Sequence, residues 1–200
     1  MSAEDRLRWD KVFQAQLDAN APYPAADPLL LRYAPPVDAD TAQPDDPTGH
    51  IPRALDLAGG LGQNALWLAQ QGYTVDLLDI SRVALERARQ EMAVRNLRNV
   101  NLLQMDVDRL QLEAAQYDLI CVFRYLKRHL FALLKMALKP GGLMIYESIT
   151  LEYLRHVPEF NRDFLLQQGE LAGFFAGWQL VHQQEPDHRA QVVVQKPRTL

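Results

Sequence analysis

Cysteine is almost absent from this chain. Cys121 stands alone, so no internal disulfide and no cysteine-cluster zinc site can form. Long hydrophobic runs are also missing, and no stretch reaches the length of a membrane span. There is no lysine- or arginine-rich tail, and the formal net charge is −4. That balance argues against broad nucleic-acid binding. The opening MSAEDRLRWD is charged and has no apolar segment, so no secretory leader is expected. No internal repeat is visible. The remaining class is a globular cytoplasmic protein of 200 residues, enough for one domain with a substantial core.

Against these absences one stretch stands out, residues 53–79, RALDLAGGLGQNALWLAQQGYTVDLLD. The run 54–58 reads as a short strand holding one acid, Asp56. Gly59, Gly60 and Gly62 follow at once. Ala65, Leu66, Leu68 and Ala69 then give a helix-like apolar face over 64–71, closed by Gly72. A second strand over 73–78 ends at Asp79. Strand, glycine turn, helix and strand make a nucleotide-binding βαβ unit. Glycines let a ligand approach the backbone, and the helix start offers N–H groups. Two cofactors fit. Residues 60–65 satisfy the dinucleotide pattern G-x-G-x-x-G/A, with Asp79 near the ribose-acid distance. An acid inside the first strand, as Asp56 is, suits the free amino-acid end of S-adenosylmethionine (SAM). Ser81 can cap the following helix, which leaves Asp79 for a ribose.

Residues 56–62, DLAGGLG, resemble the first motif of the class I SAM-dependent methyltransferases, usually D-x-G-x-G-x-G. Ala58 departs from it where glycine is common. Asp79 resembles the acid that holds both ribose hydroxyls. Asp106, after the strand at 99–104, resembles the acid that reads the adenine amino group. Residues 138–143, LKPGGL, resemble the turn before the fifth strand. The resemblance runs from about Trp9 to the C-terminus. It implies a Rossmann-like, seven-stranded, mostly parallel sheet with a C-terminal antiparallel hairpin and helices on both faces. It also implies SAM as cofactor and S-adenosylhomocysteine as product. The cofactor-binding set it implies is Trp9, Asp56, Ala58, Gly59, Gly60, Gly62, Asn64, Asp79, Ile80, Asp106, Val107 and Phe123, with no metal.

The remaining elements fit around this core. Residues 2–19 read as an amphipathic helix whose face carries Trp9, Val12, Phe13 and Leu17. Either it packs on the domain or it closes over the cofactor, where the resemblance places segments like Trp9–Phe13. Prolines at 22 and 24 break it, and a short helix is expected at 27–33. Residues 34–52 are a connector rich in proline and aspartate. The domain plan is a single domain over 1–200: a helical cap or lid at 1–33, the connector, and an α/β core from 53. Within the core, a helix is expected at 81–95, its Arg and Glu run being a solvated face. A strand at 117–123 holds Cys121 in the core. A helix is expected at 126–138, a strand at 141–149, a helix at 164–175, and antiparallel strands at 178–184 and 191–196.

Ligands of such sheets bind beyond the carboxyl ends of the strands. The acceptor candidates are therefore Arg124 and Tyr125 after the fourth strand, then Glu147, Ser148, Thr150, His156 and Arg162 around and after the fifth. Residues 121–125, CVFRY, lack the N/D-P-P-Y/F of amine-methylating enzymes on adenine or glutamine. Residues 168–178, QGELAGFFAGW, resemble a segment of the tellurite-resistance, TehB-type methyltransferases. In those a His-Arg pair in the last hairpin acts at the substrate, and His188-Arg189 falls at the matching place. The resemblance implies His188 and Arg189 as catalytic candidates and a small acceptor, an oxyanion or a thiol; Arg124 joins them as a catalytic candidate by its place after the fourth strand. The competing readings are an RNA or protein methyltransferase, a dinucleotide-dependent oxidoreductase, and a non-catalytic SAM-binding protein.

Overall fold

The computed structural model describes residues 3–37 and 51–198, so most of the expected connector lies outside the described residues. Seven strands form one sheet in the order β3-β2-β1-β4-β5-β7-β6. They are β1 (Arg53–Leu57), β2 (Thr74–Asp79), β3 (Val100–Gln104), β4 (Tyr117–Phe123), β5 (Leu138–Ile149), β6 (Gln179–Gln184) and β7 (Arg189–Gln195). Among the described residues six α-helices accompany them: α1 (Ala3–Asp18), α2 (Pro28–Tyr33), α3 (Gln63–Gln70), α4 (Arg82–Val94), α5 (Leu130–Ala137) and α6 (Glu170–Gly173). The expected fold class is therefore observed. Among the described residues no helix is long and apolar enough to cross a membrane. By its internal contacts the chain divides into two compact units, Met1–Gln111 and Leu112–Leu200.

In the first unit β1, β2 and β3 are all parallel. Ala54, Leu55, Asp56 and Leu57 are all buried, as a strand covered on both faces requires. α3 buries Ala65, Leu66, Leu68 and Ala69. Each such leucine contributes about 2 kcal/mol of burial. α4 starts where expected, because Ser81 Oγ accepts from the Ala84 N–H at 3.2 Å. Its charged face is not merely solvated. Arg87 and Arg95 lie 5.4 and 5.2 Å over the Tyr23 ring, and Glu91 bridges the two arginines. Tyr23 in turn donates from its hydroxyl to the Leu61 carbonyl, tying the segment before α2 to the glycine loop.

The second unit departs from expectation in three places. β5 begins at Leu138, so the LKPGGL segment is part of a bulged strand and not a separate turn. Tyr117 pairs with Leu138 and Leu119 with Leu143, so β5 takes five steps where β4 takes two. Gly141, at φ +80°, makes that bulge, and Lys139 ion-pairs with Asp118 at 2.9 Å beside it. α5 starts at Leu130, not at 126. Arg124 is in the left-handed region at φ +56°, and the Tyr125 carbonyl is taken by the Tyr146 hydroxyl at 2.8 Å. The helix expected at 164–175 shrinks to the four residues of α6. Leu166 is instead held in a bridge to Thr150, and Gly169 turns the chain at φ +74°. Arg128 fixes this segment by a two-pronged bond to Glu170, at 2.6 and 3.0 Å, and by bonds to the carbonyls of Asp163 and Leu165. The aromatic pair after α6 packs on α5, with Phe174 stacked at 3.8 Å on Phe131 and Phe175 edge-on to it at 5.7 Å. β6 and β7 form the expected antiparallel hairpin, with β7 also antiparallel to β5.

The glycine loop makes a testable demand on backbone shape. Gly62 lies at φ +82°, and a Cβ there would come within 2.6 Å of Leu77 Cδ2. Ala58, the departure from the motif, also lies left-handed at φ +53°. Gly62→Ala should therefore lower stability by about 1–3 kcal/mol. Ala58→Gly should raise it by up to about 1 kcal/mol, because relief of the left-handed cost exceeds the entropy lost. Urea denaturation midpoints of the two variants, moving in opposite directions, check the pair.

Candidate active site

In the first unit the expected cofactor residues converge on the carboxyl ends of β1, β2 and β3. Asp79 ends β2 and is only 6% exposed. Its Oδ2 accepts from the Gly60 N–H and its Oδ1 from the Ser81 N–H, both at 2.8 Å. The Met105 N–H donates to the Asp79 carbonyl at 3.0 Å, which brings the chain entering Asp106 beside it. Asp106 is half-buried and caps a short turn through the Asp108 N–H at 2.9 Å. Ile80 and Val107 are buried next to these acids. Burial pushes the Asp79 carboxyl above its usual value, and the N–H groups of Ser81 and Gly60 only partly offset this.

Asp56 and Asn64 serve the loop from below. Asp56 Oδ2 accepts from the Ala65 N–H at 3.0 Å, and a Cβ on Gly59 would lie 2.5 Å from that oxygen. Asn64 Oδ1 accepts from the Asp27 N–H at 2.8 Å, while Asp27 caps α2. Both residues therefore shape the glycine turn through backbone bonds.

α1 sits on the same loop. A Cβ on Gly60 would meet the Phe13 ring at 3.1 Å, and Trp9 packs on Phe13 with ring centroids 5.9 Å apart. Asp10, between them, accepts from the Ser81 hydroxyl at 2.6 Å and from the Val83 N–H at 3.3 Å. This acid had no assigned role in the sequence, although it lies inside the Trp9–Phe13 segment. The expected apolar face is only partly used. Trp9, Phe13 and Leu17 are half-buried, and Val12 is exposed. A cleft of about 340 Å³ separates α1 from α4, lined by Asp10, Gln14, Arg82, Glu86 and Arg87 among others. Among the described residues α1 is thus anchored by the Asp10 latch and the Phe13 ring contact, with no fully buried side chain.

In the second unit the acceptor candidates gather at the carboxyl ends of β4 and β5. Phe123 is buried, in register with Glu147, and Arg124 is exposed, its N–H bonded to the Glu147 carbonyl at 2.8 Å. The structure divides the His-Arg pair between two sets of partners. The His188 ring lies 5.2 Å from both Tyr153 and His156. The Arg189 Nη1 instead approaches Glu147 Oε2, at 3.8 Å. Gln191 Nε2 donates to the same oxygen at 2.6 Å, a partner that nothing in the sequence flagged. Among the described residues Ser148 Oγ, Thr150 Oγ1, His188 Nδ1 and Glu147 Oε1 are buried without a hydrogen-bond partner. Arg162 opens a short turn that ends at Leu165.

The donor set of the first unit fits an adenosyl cofactor. A carboxylate has about four lone-pair sites, so Asp79, bonded to the Gly60 and Ser81 N–H groups and close to that of Ile80, keeps acceptor capacity for a hydroxyl donor. Residues 54–142 match the family described as a methyltransferase domain. Hemagglutinin 1 of Eikenella corrodens is 30% identical over 142 residues, 66% of this chain and 46% of that protein. The chain thus spans less than half the length of that relative. The structure of TehB from Haemophilus influenzae aligns with a TM-score of 0.62 at 19% identity, over 78% of this chain and 60% of that one. A SAM-dependent methyltransferase from Mesorhizobium loti aligns with a TM-score of 0.60 at 19% identity, over 72% of this chain and 91% of that one.

The buried acid predicts a pH dependence. The folded-state value of Asp79 lies above its unfolded value of 3.8. The native chain therefore binds this proton more tightly, and stability falls as pH rises above the ordinary carboxylate range. Unliganded wild type should lose stability relative to Asp79→Asn between pH 4 and neutrality. Thermal melts of both proteins across that range check the sign.

Proposed function

We propose, from the premise that this chain carries a class I SAM-dependent methyltransferase domain on the corresponding fold, that it transfers a methyl group to a small-molecule acceptor. One observation carries the reading: the Asp79 carboxylate, at the end of β2, is bonded to the Gly60 N–H of the loop that follows β1. That bond sets an acid and a glycine backbone side by side at the sheet's ligand edge. When bound, SAM supplies a methyl group on a sulfonium, a leaving group that needs little further activation. The chain's residues then have to bind and align. Asp79 would accept from the ribose hydroxyls, and Asp106 from the adenine amino group. Phe13 and Trp9 on α1 would exclude water from the loop. Positioning of the acceptor at roughly 3–3.5 Å accounts for much of the acceleration.

The acceptor would be held by the second unit's strand ends, where Glu147, Ser148, Thr150 and His188 keep unused hydrogen-bonding atoms. The TehB-type resemblance favours an oxyanion or a thiol there, with His188 and Arg189 as its partners. The charge balance of −4 speaks against an RNA acceptor. A dinucleotide-dependent oxidoreductase and a non-catalytic SAM binder remain the alternatives to be separated by experiment.

Calorimetric titration makes that separation. SAM and S-adenosylhomocysteine should bind one to one, and NAD and NADP should give no saturable heat. Asp79→Ala should weaken SAM about ten- to a hundredfold, since a charge-assisted bond contributes roughly 1.5–3 kcal/mol. Saturable NAD binding with no SAM binding would replace this reading with the oxidoreductase.

The lid makes a second prediction. Removal of residues 1–19 should leave the sheet folded by circular dichroism, because no described side chain of α1 is fully buried. It should lower methyl transfer with any acceptor that the full chain uses. Full turnover by the folded truncation would make α1 a packing element only.

A further inference from the structure

Glu147 is the least explained charge in the chain. Its side chain is 1% exposed at the end of β5, and a buried carboxylate is costly unless its oxygens are matched by donors. Both neighbours approach one oxygen. Gln191 donates to Oε2 at 2.6 Å, and Arg189 Nη1 stands 3.8 Å from the same atom, beyond hydrogen-bond distance. Oε1 is buried with no hydrogen-bond partner among the described residues. Arg189 keeps 45% of its side chain exposed, so its charge is largely turned to water. Phe123, in register with Glu147 on the parallel strand β4, adds an apolar ring position on the same face.

We infer that Glu147 Oε1 is the anchor for a cationic, hydrogen-bond-donating group, an ammonium attached to an apolar body. The inference rests on the methyl-acceptor reading for the placement of the site and names an ammonium as the substrate class in place of the oxyanion or thiol that the resemblance favours. An acidic acceptor would meet the Glu147 charge in a dry setting, with Arg189 only partly turned to offset it. A primary ammonium brings the donor that Oε1 lacks and the charge that the carboxylate lacks. As such a group becomes a nucleophile, the N–H bond breaks, an O–H bond forms on Oε1, and the lone pair stays on nitrogen. This reading differs from the oxyanion expected at His188-Arg189. It assigns Arg189 as a competitor for the Glu147 carboxylate.

The test is calorimetric titration of the full chain with benzylamine, benzoate and selenite at fixed ionic strength. Benzylamine should bind saturably, with benzoate and selenite at least tenfold weaker. Glu147→Gln, which keeps shape and removes charge, should lose at least tenfold in benzylamine affinity. Should that variant not fold, Arg189→Gln leaves the buried acid in place and should tighten benzylamine several-fold by removing the competing cation. Benzoate or selenite binding as well as benzylamine overturns the inference. So does benzylamine affinity unchanged in both variants, or no binding by any probe. SAM titrated in the same samples reports separately on the cofactor site. Glu147-dependent benzylamine binding without SAM binding would keep this site and remove the methyltransferase reading.

Discussion

The hydrogen bond from the Gly60 N–H to Asp79 Oδ2 is the constraint on which the first unit depends. It crosses from the loop after β1 to the end of β2, strands that lie side by side in parallel. Once it forms, the glycine loop is fixed against the acid that follows it by one helix and one strand. The neighbouring features conform to it. Gly59 has no room for a Cβ between Asp56 and Leu77. Ser81 takes the capping of α4, so Asp79 is free of that task. Asp10 then reaches Ser81, which sets α1 over the loop. The arrangement holds a carboxylate in a buried setting that raises its proton affinity. Such strain is expected where binding, not stability, decides the residue.

The first unit was largely legible in the sequence. Apolar runs of strand length, an acid within or just after each, and glycines at the turn point to one arrangement at every level. The limits of that reading are physical. Asp56 and Asn64 are polar residues beside a glycine turn, which suits a ligand as well as a backbone N–H. Only geometry assigns Asp56 to Ala65 and Asn64 to Asp27. Tyr23 bonds to Leu61 across 38 residues, and no local pattern encodes such a contact.

The second unit was less legible because long-range contacts override its local periodicity. The apolar spacing of 126–138 is helical throughout, yet the Tyr146 hydroxyl claims the Tyr125 carbonyl and delays the helix to Leu130. Leu165 and Leu166 suit a helix and are instead drawn into the core beside Thr150. The G-E-L and F-F-A-G-W segments, read first through a resemblance, have an evident packing role: Glu170 clamps Arg128, and Phe174 stacks on Phe131. His188 and Arg189 are adjacent in sequence and do reach the end of β5, but their side chains meet different partners. The unpaired oxygen of Glu147 cannot be seen without the pairing of β5 with β7.

The central claim is that the carboxyl ends of β1, β2 and β3 form an adenosyl-cofactor site. Backbone amide shifts of the isotope-labelled chain, followed as S-adenosylhomocysteine is added, test it most directly. The account predicts the largest changes at Gly59, Gly60 and Gly62, at Asp79 to Ser81, and at Asp106 to Asp108. Saturable changes confined to other strands, with these amides unmoved, would contradict it.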